Sequence, residues 1–349
     1  MPPVRQAKEL QLRSFAKLNL DLRVLHKRPD NYHELRTVFQ TISLHDTIGI
    51  RFESARRTQV SIADSLDIPN NLILRAAQAI LDATKRTARI NFQLTKRIPM
   101  GAGLGGGSSN AAAILLALPP LLGAKLNLDQ LTALGAQLGS DVPFFLYGGA
   151  ALGFGRGTEL YPLPDLPSIK GLVVAPGIHV STPDAYRDLA REYEPSPATG
   201  QPAASPTRSN ETLTTTARGN DTKTFRSVVW SLAGRDPESG WKSHCMNDFE
   251  EVVFSRHPVL RSIVKLLARE GARPARMTGS GSALFGLFDN SESFERAFGS
   301  LSRKGGGDWS VSKITLLARR RYQSIWRRQL GALISPESIW PPVSRPLKP

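Results

Sequence analysis

Apolar and polar residues alternate near the start of the chain. From Ser14 to Val24 apolar residues fall at 16, 18, 20, 22 and 24, the period of a strand. Lys17 and Asn19 therefore share the opposite face. On a half-buried sheet that face is simply solvated; facing a site is the other option. Runs at Val38–Leu44 and Thr47–Phe52 predict two more strands, and Ile90, Phe92 and Leu94 another that leads into Lys96-Arg97-Ile98-Pro99. Helical spacing follows Asn70-Asn71, at Leu72-Ile73, Ala76-Ala77 and Ile80-Leu81, with Asn as cap. Asn127 and Gln130 have capping-box spacing for a helix Leu128–Leu138, which Gly139 stops. A new strand starts at Leu172, and a domain change is placed just before it. Thr182-Pro183 opens a short helix carrying Tyr186. Pro258–Glu270 is amphipathic, with Leu260, Ile263, Val264 and Leu267 on one face. Leu284–Phe288 and Lys313–Ala318 read as the last strands.

One stretch interrupts this periodicity. Pro99-Met100-Gly101-Ala102-Gly103-Leu104-Gly105-Gly106-Gly107-Ser108-Ser109 holds five glycines in seven positions and then two hydroxyls, ahead of an alanine-rich run. Glycine permits φ > 0 and close approach of a ligand to backbone. A helix that starts there aims free amides and its positive dipole end at one point, which makes an anion site. Ser108 or Ser109 is the expected cap. The P-loop pattern would need Lys where Gly107 stands. The dinucleotide pattern fits Gly101, Gly103 and Gly106, but its ribose-binding acid should close a strand where Leu128–Leu138 reads as helix. A turn without a ligand is the remaining option. A second small-residue loop, Met277-Thr278-Gly279-Ser280-Gly281-Ser282-Ala283, precedes the strand at Leu284. Asp141 sits in a tight turn after Gly139, where an acid often serves only as a backbone acceptor.

Composition narrows the class. The 349 residues are 40% hydrophobic and 21% charged, enough for two domains with cores. No apolar run reaches spanning length, and the first residues lack a signal core. A single cysteine, Cys245, cannot form an internal disulfide, so a cytoplasmic setting is expected. The six histidines show no metal-ligand spacing, so no protein metal site is expected. Net charge is +15, and an anionic substrate, nucleic acid or an acidic membrane could each account for it. Residues 194–223, rich in Ser, Thr, Pro, Gly and Ala, read as a disordered insertion. Residues 319–349 read as a basic Pro-rich tail, whose Arg-Arg-Arg-Tyr-Gln-Ser-Ile-Trp-Arg-Arg interleaves aromatics with cations.

Three motifs stand in one order: Ala16-Lys17-Leu18-Asn19-Leu20, the 99–109 loop and Thr278-Gly279-Ser280-Gly281-Ser282. Together they resemble the galactokinase, homoserine kinase, mevalonate kinase and phosphomevalonate kinase (GHMP) superfamily. Asn31-Tyr32-His33 and Gly139-Ser140-Asp141-Val142-Pro143-Phe144 make the chain most similar to the 4-diphosphocytidyl-2-C-methyl-D-erythritol kinases of the non-mevalonate isoprenoid pathway. The resemblance covers about Ser14–Phe288 apart from the insertion. It implies an α+β fold of two domains with the active site in the cleft between them: a ribosomal protein S5 domain 2-like domain (1–168) and a ferredoxin-like domain (169–318). It implies ATP as phosphoryl donor, with Mg²⁺ carried on its phosphates, and a cytidylyl sugar alcohol as acceptor. Neither nucleic acid nor membrane is then an expected partner, and the chain would be a monomer or homodimer. By position, residues 99–109 would hold the ATP phosphates, Asp141 would be the general base, and Lys17 its partner beside the developing alkoxide. Asn19 would support the acceptor, His33 would read the cytosine edge, and Tyr32 and Tyr186 would sandwich the base. Lys96 and Asn71 are adenine-side candidates, and Gly279, Ser280 and Gly281 would close the cleft near the phosphates. Two rivals stand beside this: another GHMP small-molecule kinase, acting on homoserine, mevalonate or a sugar, and a basic RNA-binding protein with an S5-like fold.

Overall fold

The computed structural model describes residues 7–30, 32–64, 66–193, 215–234 and 240–334. The insertion expected at 194–223 thus lies outside the described residues as far as 214, as do Asn31 and the tail beyond 334. The chain opens on a long hairpin, β1 (Lys8–Lys27) and β2 (His33–Ser54), paired antiparallel along nearly its whole length. The two runs expected as separate strands are one, β2. The pairing shifts register between Phe15 and Lys17, where the extra residues are on β2, and between Asn19 and Asp21, where the extra residue is on β1.

The free edge of β2 is shared. Its second half pairs with β4 (Ala88–Thr95) and its first with β5 (Ala150–Gly155). β3 (Gln59–Asp64) lies parallel to β4, the two joined through helix α1 (Leu72–Thr84), and β6 (Glu159–Pro162) closes the other side. Asn71 caps α1 by accepting from the Ile73 amide. Helix α2 (Gly106–Leu121) runs through the core, its apolar residues Ala111–Leu118 all buried. Beside it lie α3 (Leu128–Leu138), with both bonds of the Asn127/Gln130 capping box, and the short α4 (Val142–Tyr147).

The second sheet is antiparallel, ordered β10-β7-β9-β8, from β7 (Lys170–Ala175), β8 (Ala275–Met277), β9 (Leu284–Phe288) and β10 (Ser310–Thr315). Helices α5 (Thr182–Tyr193), α6 (Thr215–Leu232), α7 (Trp241–His244), α8 (Phe249–Arg256) and α9 (Pro258–Arg269) lie between β7 and β8 in the chain, and α10 (Ser291–Gly305) between β9 and β10. Strand order 4-1-3-2 with helices in both crossovers is the ferredoxin-like arrangement. The helix α6 begins inside the stretch expected to be disordered, so the irregular reading fails for 215–223.

The two sheets share one core. Ala16, Leu18 and Leu20 of β1 pack with Val173, Phe285 and Ile314 of the second sheet. Backbone bonds stitch the seam: the Leu22 amide donates to Met246 O and the Asp248 amide to Leu22 O.

The tail expectation also fails at its start. Residues Arg319–Leu330 form helix α11, with Tyr322, Trp326 and Leu330 buried in the first core and the Tyr322 hydroxyl donating to Phe145 O. The aromatics that suggested stacking on a nucleic acid are core residues at i and i+4. Trp326→Ala should destabilise the protein by about 3–5 kcal/mol in urea unfolding, as for other buried large-to-small changes. Arg327→Ala, on the exposed face of the same helix, should stay within about 0.5 kcal/mol.

Candidate active site

The polar face of β1 is not solvated. Lys17, Asn19, Asp21 and Arg23 are each at most 4% exposed, so a row of polar groups is buried and must find partners. Lys17 Nζ lies 3.3 Å from Asp141 Oδ2 and donates to Asn19 Oδ1 at 2.6 Å. Its ammonium also sits 5.3 Å from the centre of the Phe39 ring. Asn19 Nδ2 donates to Thr37 Oγ1, whose hydroxyl donates to Asp21 O, while the Asn19 amide donates to Thr278 Oγ1 at 2.9 Å. Asp21 takes Arg23 Nε at 2.8 Å and Nη2 at 3.0 Å, and accepts the Met246 amide.

Asp141 stands at the N-terminus of α4 yet makes no capping bond. Its side chain is 31% exposed, and one oxygen faces Lys17. The carboxylate is thus held from one side and open to the cleft on the other.

The glycine loop approaches from above. Gly101, Gly103 and Gly105 have φ of +61°, +76° and +69°. Gly105, not a serine, is the N-cap of α2, and no side chain caps that end. Ser108 and Ser109 lie inside the first turn instead, because the helix starts three or four residues earlier than either cap would place it. The first intrahelical bond is from the Ser109 amide to Gly105 O, so the amides of residues 106–108 precede the hydrogen-bonded ladder. A Cβ at Gly103 would stand 2.2 Å from Thr278 O, and one at Gly279 would stand 3.0 Å from Gly103 Cα. The two small-residue loops touch backbone to backbone. Asn247 Nδ2 holds the second loop through Met277 O and Gly279 O, and the Ala283 amide donates to Ala102 O.

Three hollows meet here. One of about 430 Å³ is lined by Lys17, Asn19, Gly101, Gly103, Gly105, Asp141 and, from the second domain, His179 and Ser280. On one side it continues past the glycines into a hollow of about 350 Å³ lined by Asn71, Lys96 and residues 99–108. On the other side it continues past Asp141 into one of about 670 Å³ lined by Lys27, Tyr32, His33, Arg156 and Tyr186. The glycines form the wall common to the first two, and Asp141 the wall common to the first and third.

In the third hollow, Tyr186 stacks on His33, with centroids 4.5 Å apart and planes at 15°, and meets Phe249 edge-on. The Arg156 guanidinium lies 4.0 Å over the Tyr32 ring, which is 51% exposed. Tyr32 and Tyr186, expected to sandwich the base, both line this hollow, with Arg156 over one ring and His33 against the other. Burial, with Lys27 nearby, lowers the His33 pKa from 6.5, so at neutral pH its ring offers one donor and one acceptor. Burial, with Asp141 nearby, pushes the Tyr186 phenol well above its usual range. Asn71 and Lys96 line the second hollow, but their bonds are internal: Asn71 caps α1 and donates to Asp64, and Lys96 pairs with Asp46.

Known proteins match the chain along most of its length. Residues 71–149 match the model of the GHMP kinases N terminal domain and residues 238–307 that of the GHMP kinases C terminal. A 4-diphosphocytidyl-2-C-methyl-D-erythritol kinase of Solibacter usitatus is 50% identical over 334 residues, 96% of this chain and 96% of that relative. The chain belongs to this family of GHMP kinases. A relative of the same name from Geobacter sp. is 36% identical over 86% of this chain and 96% of its own length. The crystal structure of a 4-(cytidine 5'-diphospho)-2C-methyl-D-erythritol kinase superposes with TM-score 0.67 at 33% identity, covering 88% of this chain and 99% of that one. The protein is therefore a small-molecule kinase. Sequence reasoning had passed over Arg156, His179, Thr37 and Asn247 as site-lining or supporting residues of this kinase. Arg156 stands among glycines, at 153, 155 and 157, and belongs to none of the motifs above.

The contact between the loops gives a test. In Gly103→Ala the new Cβ must displace the Thr278 carbonyl and sit at positive φ, a strain of about 1–3 kcal/mol. Nucleotide affinity should fall at least about tenfold by calorimetry, and the melting temperature should drop. Gly107→Ala, with negative φ and its nearest obstacle the Leu72 Cδ1 at 3.4 Å, should leave the melting temperature unchanged or higher.

Proposed function

We propose that this kinase transfers the γ-phosphoryl group of ATP to the 2-hydroxyl of 4-diphosphocytidyl-2-C-methyl-D-erythritol, giving the 2-phosphate and ADP, as a cytoplasmic step of isoprenoid synthesis. The observation that carries the reading is the position of Asp141. It is paired with buried Lys17 and stands between the hollow of the glycine loop and the hollow that holds Tyr32, His33 and Tyr186.

Phosphoryl transfer asks the protein mainly to position two reactants and stabilise charge. Residues 99–109 would cradle the ATP phosphates, with the first-turn amides of α2 and its dipole facing them. Asp141 takes the proton from the acceptor hydroxyl as its oxygen attacks the γ-phosphorus and the bond to the ADP oxygen breaks. Lys17 stands beside the charge that builds on that oxygen, and Asn19 fixes the Lys17 ammonium. In the outer hollow, neutral His33 would read the cytosine edge, and Tyr32 and Tyr186 offer ring faces, each now covered by Arg156 or His33. Among the described residues no three His, Cys, Asp or Glu side chains converge to hold a metal. Mg²⁺ carried on the ATP phosphates, with water completing its shell, needs no such cage.

An assay of ADP release with a panel of acceptors tests the whole reading. Turnover should appear with the cytidylyl methylerythritol and not with mevalonate, homoserine or galactose. Asp141→Asn should lower kcat by about 10²–10⁴-fold, the usual contribution of a general base. Turnover with a different acceptor would overturn the substrate, and an Asp141→Asn enzyme of near wild-type rate would overturn the base.

A further inference from the structure

Asp46 is a fully buried carboxylate on β2 that plays no part in the chemistry above, yet it touches the entrance of the glycine loop. Oδ1 accepts the amides of Arg97 at 2.7 Å and Ile98 at 2.8 Å, and Oδ2 accepts Lys96 Nζ at 2.6 Å. Lys96 Nζ also donates to Ile98 O at 2.9 Å. One side chain thus fixes both backbone amides and, through the lysine, a carbonyl of the three residues that join β4 to the loop. The far end of this clamp reaches the helix: Lys96 Nζ lies 2.8 Å from where a Cβ on Gly106 would be, and Gly106 is the first residue of α2.

We propose that Asp46 is a positioning residue for ATP. It acts through the backbone of Arg97 and Ile98 to set the height and direction at which the loop leaves the sheet, and so the aim of the first-turn amides. Four features favour this over a merely stabilising ion pair. The carboxylate is 0% exposed, so its charge is held by directed bonds rather than by water. Two of its three partners are consecutive backbone amides, which fixes chain direction as a single side-chain contact could not. The glycines beyond, with three positive φ values, have little stiffness of their own. The anchored residues also lie on the nucleotide side of the cleft, where Lys96 lines the hollow with residues 99–108, and away from the hollow of Tyr32 and His33.

The proposal rests on the glycine loop being the ATP cradle, and the test separates the two. Lys96→Met is introduced in both arms, so that neither leaves a buried ammonium without its partner. Asp46→Asn/Lys96→Met keeps an oxygen for the two amides; Asp46→Ala/Lys96→Met removes it. The KM for ATP should be at least about tenfold higher in the alanine variant than in the asparagine variant, with the KM for the acceptor within about twofold. A ratio near one for ATP, or an equal rise in both KM values, would overturn the positioning role. Absence of ATP turnover in the wild type would instead overturn the kinase reading, and the proposal with it. Should the alanine variant not fold, hydrogen exchange on the wild type decides. The Arg97 and Ile98 amides should be strongly protected without nucleotide and unchanged by ADP, while the amides of 101–107 slow when it binds. Fast exchange at 97 and 98 without nucleotide would sink the idea.

Discussion

A lysine ammonium placed in a protein interior sets the terms for everything around it. Transfer of that charge out of water is costly unless opposite charge and hydrogen bonds replace the solvent. Lys17 is 3% exposed, and the groups that replace its water are Asp141, the Asn19 amide oxygen and the face of Phe39. Each comes from a different part of the fold. Asn19 shares the strand, Phe39 lies on the partner strand β2, and Asp141 arrives at the start of α4 after three helices. Satisfying the lysine therefore requires the hairpin, α2 and α3 to be in place. The same requirement puts a carboxylate beside a cation at the mouth of a cleft. Under the proposed mechanism, the stability of the fold and the chemistry of the kinase draw on one contact.

The second constraint is closeness of backbone. The glycine loop and the loop after β8 meet with Gly103 against Thr278 and Gly279, a separation that no side chain permits. Thr278 also receives the Asn19 amide through its hydroxyl, so the strand bearing Lys17, the glycine loop and the second domain converge on one threonine. Asn247 supports that threonine's loop from behind. Glycine supplies the proximity but not the rigidity, which comes from fixed ends: Asp46 and Lys96 at the entrance, the helix α2 at the exit, and the second loop in contact along the side.

What could be read in the sequence follows from how local each signal is. Capping chemistry is local, and the helix Leu128–Leu138 with its capping box and Gly139 stop stands where the pattern put it. The strands β1, β4, β7 and β9 were visible through alternation or apolar runs. The β2 strand was split in two because both its faces are buried from Thr37 to Ile42 and only alternate positions from Asp46 to Phe52, a change that follows its switch of neighbour from β5 to β4, and a neighbour is not a local property. The polar face of β1 was equally consistent with solvent or site, since alternation reports two faces and not what covers them. The helix α11 was missed for the same reason: five arginines in twelve residues read as a solvated end, and only the Tyr322/Trp326 spacing carried the signal of a buried stripe. The expected site residues divide similarly. The motif gave Lys17, Asn19, the loop and Asp141, which the fold brings together. It gave no warning that Tyr186 would stack on His33, which depends on how the two domains meet, or Arg156 on Tyr32, which depends on β2 pairing with β5.

The row of polar groups on β1 also explains why the cleft lies between the sheets rather than on one of them. Its apolar positions, Ala16, Leu18 and Leu20, pack into the shared core, and the alternate positions carry Lys17 and Asn19 to the cleft and Asp21 and Arg23 to the seam. A shift of one residue in the pairing of β1 with β2 would exchange these sets and bury leucines where the ammonium must go. The seam contacts of Asp21 and Arg23 with Met246 and His244, and the Leu22 bonds beside them, resist that slip by tying β1 to the second domain. Register, domain docking and placement of Lys17 against Asp141 are thus a single geometric condition, which accounts for an eleven-residue stretch of one strand, Ser14 to Val24, being buried on both faces.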